Sequence, residues 1–223
     1  MADIPRILSV DDHVVEPPDL WTSRLPAKYQ DRCPRVERDS AVFNFEGGEF
    51  TYQKGVPGGA ECDWWLYDDL VYPFPKLSAA SGFETLDVEP VTFDQIRPGG
   101  WKQADRLADM TANHVDASLC FPNVLPRFCG QTFLEREDKE LALLCVQAYN
   151  NWMIDEWCAG DARGRLIPLT LIPLWDPAAA ALEVHRCADK GSFAVAFSEN
   201  PYHLGLPSIH DKDRFWDPFL TAC

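Results

Sequence analysis

The sequence predicts an α/β protein built on a parallel β-sheet. Short apolar runs bounded by proline or acidic residues alternate with longer segments in which apolar residues recur every three or four positions. This alternation of strand and helix is typical of β/α units. Composition agrees, since 46% hydrophobic and 25% charged residues are ordinary for a folded globular protein.

Four strands and four helices are predicted in alternation. The strands are Ile7–Val10, Ala117–Phe121, Leu166–Ile172 and Phe193–Phe197. The helices cover about 101–111, 135–158, 177–189 and a segment from about 212 onward. Asp176 is the expected N-cap of the third helix, with a proline in its first turn. Asn113 or His114 is expected to end the first helix in a left-handed conformation.

The long segment between the first strand and the first helix is irregular and rich in proline, glycine and aromatic residues. Val42–Phe45 and Glu49–Tyr52 flank the turn Glu46-Gly47-Gly48, which predicts a β-hairpin. We therefore expect an insertion over roughly 40–75. Its aromatic residues either roof an apolar substrate or form a small satellite core. They are Trp64, Trp65, Tyr67, Tyr72 and Phe74.

The formal charge of −15 argues against nucleic acid and anionic membranes as partners, because both need clustered Lys and Arg. No apolar run approaches the ~20 residues of a membrane span. The N-terminus lacks the apolar stretch of a signal peptide, so a cytoplasmic protein is expected. The eight cysteines include no C-x-x-C pair and several lie in apolar segments, which predicts reduced, buried thiols.

The end of the first strand carries the residues best suited to chemistry. Side chains alternate along a strand, so Asp11 and His13 are expected on one face and Asp12 on the other. A carboxylate and an imidazole at this spacing can share a zinc or manganese ion. The same pattern also occurs as a surface turn with a hydrogen-bonded imidazole, and the pair alone leaves both interpretations open.

The segment Ile7–Trp21 resembles the opening of amidohydrolase-related proteins of the aminocarboxymuconate-semialdehyde decarboxylase-like branch. Further similarities follow in order, at 106–110 with 115–117 and at 205–210 with 215–219. The resemblance spans nearly the whole chain outside the hairpin region. It implies the N-terminal part of a (β/α)8 barrel, with about four β/α units present and an insertion after strand 1.

The resemblance also implies one divalent metal at the carboxyl ends of the strands. In that family the first strand supplies two ligands as H-x-H or acid-x-His, and Asp11 and His13 occupy those positions. The departure from H-x-H leaves the metal open, with zinc expected first and manganese as the alternative. The family's remaining His and Asp ligands are expected beyond Cys223. His210 lies in a loop before a helix and is not their replacement.

A barrel would bring Glu16, Asn123 and Asn200 near the substrate, because they follow strands one, two and four. Each is equally suited to capping a loop. The activity implied is that of a hydrolase or a non-oxidative decarboxylase acting on a small carboxylated or cyclic substrate, with the catalytic residues unassigned. The alternatives are a non-catalytic α/β binding module and an inactive truncated gene product. A homo-oligomer is possible, because an incomplete barrel leaves strand edges unpaired.

Overall fold

The structure is a computed structural model and describes residues 5–223. The strands are β1 (Ile7–Val14), β2 (Arg35–Glu46), β3 (Glu49–Lys54), β4 (Ala60–Tyr67), β5 (Leu70–Pro73), β6 (Val115–Pro122) and β7 (Leu166–Pro168). The helices are α1 (Gln103–Ala112), α2 (Gln131–Leu134), α3 (Lys139–Trp152), α4 (Pro177–Asp189) and α5 (Asp217–Ala222).

Strands β1, β6 and β7 form a parallel sheet in that order, which confirms the predicted mixed α/β fold. Helix α1 and the turn that follows α3, residues 153–157, pack against one face of this sheet. In that turn, the indole Nε1 of Trp157 donates a hydrogen bond to the Cys120 sulfur of β6 at 3.3 Å. Residues Ser118 and Cys120 point toward these helices and are fully buried.

The opposite face of the parallel sheet carries exposed apolar side chains. Leu8 on β1 is 66% exposed and Ile167 on β7 is 40% exposed. Parallel sheets usually have both faces covered, but residues 5–223 leave this face uncovered. The outer edge of β1 also has no strand paired to it among residues 5–223.

The insertion folds as a four-stranded antiparallel sheet in the order β3-β2-β4-β5. The predicted hairpin is present, with Glu46 paired to Glu49 across the two-glycine turn. The sheet spans 35–73 rather than the expected 40–75, and β4 and β5 were not predicted. Its aromatic side chains belong to the core: Trp64, Trp65, Tyr67 and Phe74 are fully buried. The expectation that these four residues roof a substrate is therefore wrong.

One buried carboxylate fastens the insertion to the rest of the protein. The Asp63 side chain on β4 accepts two hydrogen bonds from the Arg38 guanidinium, at 2.9 and 3.0 Å. It accepts a third from the backbone N–H of Phe93 at 2.7 Å. Strand β4 is thereby joined to the segment that leads into α1.

Two predicted strands are shorter than expected. The third ends at Pro168, because proline has no N–H to continue the ladder. The fourth, at 193–197, makes only one parallel bridge, between Val195 and Thr170.

The predicted helix ends agree in part with the structure. The Asp176 side chain caps α4 by accepting two backbone N–H groups, and His114 closes α1 at φ +58°. The expected helix at 135–158 is α3 followed by a π-helical turn at Met153–Trp157. The last helix begins at Asp217 rather than near 212.

The thiols agree with the sequence prediction. All eight cysteines are free, and only Cys223 of these is exposed.

Candidate functional site

Asp11 and His13 lie together on the open face at the carboxyl end of β1. The Asp11 Oδ1 and His13 Nε2 atoms are 3.7 Å apart. Both side chains are at least half exposed, so an ion or a substrate can reach them. Residue His13 pairs with Phe121 of β6, and their rings lie 5.9 Å apart.

The other imidazole nitrogen of His13 is held by the backbone. Its Nδ1 atom lies 2.9 Å from the carbonyl oxygen of Pro122, the last residue of β6. A carbonyl oxygen only accepts, so Nδ1 must carry the proton, and in the neutral ring Nε2 is left with a free lone pair. A hydrogen bond of this kind is the usual support of a histidine that ligates a metal through its other nitrogen.

Asp12 points to the helical side of the sheet, as strand alternation predicts. Its Oδ2 accepts a hydrogen bond from the Ser118 hydroxyl at 2.5 Å and lies 3.3 Å from Arg106 Nη1. Arg106 of α1 also donates to two backbone carbonyls, those of Gly99 at 2.5 Å and His13 at 2.7 Å. This one guanidinium therefore fixes the backbone of the strand end that carries the site.

Glu16 lies just beyond the site and is fully buried. Its carboxylate accepts the backbone N–H groups of Asn123 at 2.7 Å and Val124 at 3.1 Å. Burial raises the pKa of Glu16 to about 7, against the lowering effect of these hydrogen bonds. In the structure Glu16 therefore caps the loop that follows β6.

A cleft of about 480 Å³ lies along β1 and includes both Asp11 and His13. Asn123 lines this cleft, and its side-chain amide donates to the carbonyl of Ser78 at 2.6 Å. The segment 78–81, which follows the insertion, forms part of the cleft wall. The cleft is thus bordered by small residues just after the insertion and not by the insertion's tryptophans.

The loop after β6 has an unusual backbone. Arg127 adopts φ +56° and ψ −175°, a region that is essentially reserved for glycine. Cys129 follows in the left-handed region at φ +49°. Non-glycine residues in such conformations cost on the order of 1–3 kcal/mol each. Between them, Phe128 is turned outward, 42% exposed, with its ring 6.4 Å from that of Phe121 and nearly parallel to it.

The remaining sequence candidates lie elsewhere. Asn200 precedes the short turn Pro201–Leu204, and its backbone carbonyl accepts the N–H of His203. It is not among the residues that line the cleft. His210 is exposed in the segment before α5.

The Asp11–His13 pair has the donor chemistry of a divalent metal site. A carboxylate oxygen beside an unprotonated imidazole nitrogen fits zinc or manganese in chemistry and in spacing. Within residues 5–223, however, no group of three or more His, Cys, Asp or Glu side chains is placed to hold an ion. Asp11 and His13 therefore fit as part of a metal site.

A family model described as amidohydrolase matches residues 62–223. The chain belongs to the amidohydrolase family. The matched residues include β6, Asn123 and the strained loop, and they begin after Asp11 and His13. No curated protein matches the chain.

A solved structure shows the same fold. It is the crystal structure of an amidohydrolase from Mycobacterium avium subsp. paratuberculosis, 20% identical, with a TM-score of 0.52. The match covers 85% of this chain and 48% of that one, so the chain spans about half the length of this amidohydrolase.

Sequence reasoning missed several residues that shape the site, namely Arg106, Ser118, Ser78, Phe121 and Phe128. The contacts of Arg106, Ser118 and Ser78 join distant parts of the chain, and the local pattern carries no signal of them. Among the described residues, no helix combines the length and the apolar character that a membrane span requires.

Proposed function

We propose that this chain is the metal-binding N-terminal part of a (β/α)8-barrel amidohydrolase. In this proposal Asp11 and His13 hold one divalent ion, zinc or manganese. The observation that carries it is the His13 imidazole, which is fixed through Nδ1 to Pro122 and presents Nε2 beside the Asp11 carboxylate. The remaining ligands would come from strands outside this chain.

The proposed reaction is hydrolysis or non-oxidative decarboxylation of a small carboxylated or cyclic compound, as in the aminocarboxymuconate-semialdehyde decarboxylase-like branch. A bound divalent ion would act as a Lewis acid and lower the pKa of water. The chain's own residues orient the site. Arg106 fixes the backbone at His13, Glu16 fixes the loop at Asn123, and Asn123 joins that loop to the insertion.

Metal binding to the purified chain tests this proposal. Isothermal titration calorimetry with Zn²⁺ should show one binding site. We expect His13→Ala and Asp11→Asn each to weaken it at least about tenfold, because the first removes a nitrogen donor and the second removes the carboxylate charge. The matched control is His210→Ala, which removes an exposed imidazole and should leave the affinity unchanged. Equal Zn²⁺ affinity in the unchanged and His13→Ala proteins would reject the assignment.

The presence of only two clustered donors in the described residues favours a second candidate, a module that binds without turnover. The two candidates differ in a simple way. Metal-dependent turnover of a carboxylated substrate by the chain extended to the length of its structural relative would support the enzyme. Binding of Zn²⁺ without any turnover in that longer protein would support the module.

A further inference from the structure

Three sulfur atoms lie together in the core, on the helical side of the parallel sheet. They belong to Cys120, Met153 and Cys158, and all three side chains are buried. The Cys158 Sγ donates a hydrogen bond to the Met153 Sδ at 3.6 Å. The thiols of Cys120 and Cys158 also hydrogen-bond to each other. The cluster therefore combines two thiols and one thioether from β6 and the turn after α3.

The π-helical turn at Met153–Trp157 brings two of these sulfurs side by side. An α-helix places residues three and four positions apart on one face. The π turn closes on the fifth residue instead, since the backbone N–H of Cys158 donates to the Met153 carbonyl at 2.9 Å. Met153 and Cys158 thus present neighbouring sulfur atoms, and Cys120 contacts the second of them. Turns of this type are frequent at functional sites.

The surroundings of Cys120 favour its thiolate, which is the form of cysteine that binds metals. Hydrogen bonds to its sulfur from the Cys158 thiol and the Trp157 indole lower the pKa of Cys120 below its ordinary value, although the side chain is buried. Arg106 adds a positive charge, with its guanidinium carbon 5.7 Å from the centre of the Trp157 ring. A negative charge on this sulfur is therefore compensated within the core.

We propose that Cys120, Met153 and Cys158 form a binding site for a soft monovalent cation, Cu(I). Thiolate and thioether sulfur suit Cu(I), whereas zinc sites use thiolate, imidazole or carboxylate rather than thioether. A planar three-sulfur site with metal–sulfur bonds of about 2.3 Å separates its sulfur atoms by about 4 Å. The 3.6 Å between the sulfurs of Cys158 and Met153 is close to that spacing. Binding would release both thiol protons and leave one net negative charge near Arg106.

Anaerobic titration of the whole reduced chain with Cu(I), in competition with the chromogenic chelator bicinchoninate, tests this site. We expect one tightly bound equivalent and a sulfur-to-copper charge-transfer absorption in the near ultraviolet. Cys120→Ala, Cys158→Ala and Met153→Leu should each weaken Cu(I) binding at least about tenfold, because each removes one sulfur ligand. Met153→Leu keeps a similar volume and both thiols, so it covers the case in which an alanine variant does not fold.

The matched control is Cys187→Ala. The Cys187 thiol is also buried, but it donates to the Glu183 carboxylate rather than to sulfur, so its removal should leave the Cu(I) affinity unchanged. X-ray absorption of the copper-loaded protein should show three sulfur ligands. Failure of the unchanged protein to retain Cu(I) against bicinchoninate would overturn the site. Unchanged affinity in any folded variant of the three sulfur residues, or a linear two-sulfur copper environment, would overturn it as well.

This inference goes beyond the proposed function and does not rest on it. His13→Ala should keep the Cu(I) affinity of the unchanged protein, and Cys120→Ala should keep its Zn²⁺ affinity. Loss of Cu(I) binding in His13→Ala would place the copper at the end of β1 and reject the three-sulfur site. Equal Zn²⁺ affinity in the unchanged and His13→Ala proteins would reject the Asp11–His13 assignment and leave the three-sulfur site standing.

Discussion

The Nδ1 atom of His13 lies 2.9 Å from the carbonyl oxygen of Pro122, so the neighbouring strand decides which nitrogen of this histidine is protonated. The contact depends on the parallel pairing of β1 with β6, in which Val14 is the direct partner of Pro122. The pairing of β1 with β6 therefore also sets the tautomer of His13 that leaves Nε2 free for the proposed metal.

The first prediction is that neutral His13 carries its proton on Nδ1. The carbonyl of Pro122 offers an acceptor only to that nitrogen, whereas an exposed histidine has no such partner. Long-range ¹H–¹⁵N correlation spectra at mildly alkaline pH should show Nε2 unprotonated in His13. The exposed His210 is the control and should show averaging between tautomers. An Nε2–H signal for His13 would contradict the prediction.

The second prediction concerns Glu16 and pH. Its pKa in the folded protein is about 7, above the ordinary value of 4.5, so between these pH values the folded state holds a proton that the unfolded state has released. Stability should therefore fall as pH rises from about 4.5 to about 7, by on the order of 3 kcal/mol, and change little above that.

Urea unfolding at pH 5 and pH 8 measures this effect. The Glu16→Gln variant should lack the loss seen in the unchanged protein, since glutamine does not titrate. Glu84→Gln, at an exposed position, should keep it. The same pH dependence in the unchanged and Glu16→Gln proteins would show that the Glu16 carboxyl ionises without cost.

The third prediction is that Arg106→Lys destabilises the protein by about 2–4 kcal/mol. A lysine ammonium cannot reach the Gly99 carbonyl, the His13 carbonyl and the Asp12 carboxylate together, as the guanidinium does. Urea unfolding gives the free energy. Arg6→Lys, at a side chain that is 88% exposed, is the control. A change within about 0.5 kcal/mol at Arg106 would mean that these contacts are replaced by water.

The fourth prediction compares two substitutions at Arg127. Both Arg127→Gly and Arg127→Ala remove the ion pair with Glu135, but only glycine tolerates the backbone at φ +56° and ψ −175°. The glycine variant should therefore be more stable than the alanine variant by about 1–2 kcal/mol. Thermal or urea unfolding of the two variants measures this difference in stability. A more stable alanine variant would show that the loop backbone relaxes to an ordinary conformation.

The fifth prediction is that native protein reacts with a thiol reagent mainly at one cysteine, Cys223, which is exposed. Only thiolates react, and burial raises the pKa of Cys62 to about 11 and of Cys129 to about 12. Denatured protein should yield all eight thiols. Rapid reaction of several thiols without denaturant would show that the core opens readily.

The sequence predicted those parts of the fold that depend on local rules. The hairpin turn at Gly47-Gly48, the Asp176 cap and the opposite directions of Asp11 and Asp12 follow from residue type and strand periodicity. Strand β4 was missed because six consecutive residues, from Cys62 to Tyr67, are buried, so polar and apolar residues do not alternate.

The rest of the site depends on contacts between distant residues. Arg106 reaches the His13 carbonyl across 93 positions of the chain, and no local pattern indicates this. Phe128 was missed for another reason. Its outward position follows from positive φ angles at Arg127 and Cys129, and neither residue is of the type that signals such a backbone.

The hydrogen bonds of Asp63 bear on how a ligand enters and leaves. Strand β4 is joined through them to the segment before α1, and the backbone pairs Lys76–Glu89 and Val91–Phe74 extend the connection toward 78–81. Ser78 is also bound by Asn123, so the start of that cleft wall is attached both to the insertion and to the loop after β6. Ligand exchange should therefore proceed across the open side of the sheet at a rate set by diffusion and desolvation, without a gating step by the insertion.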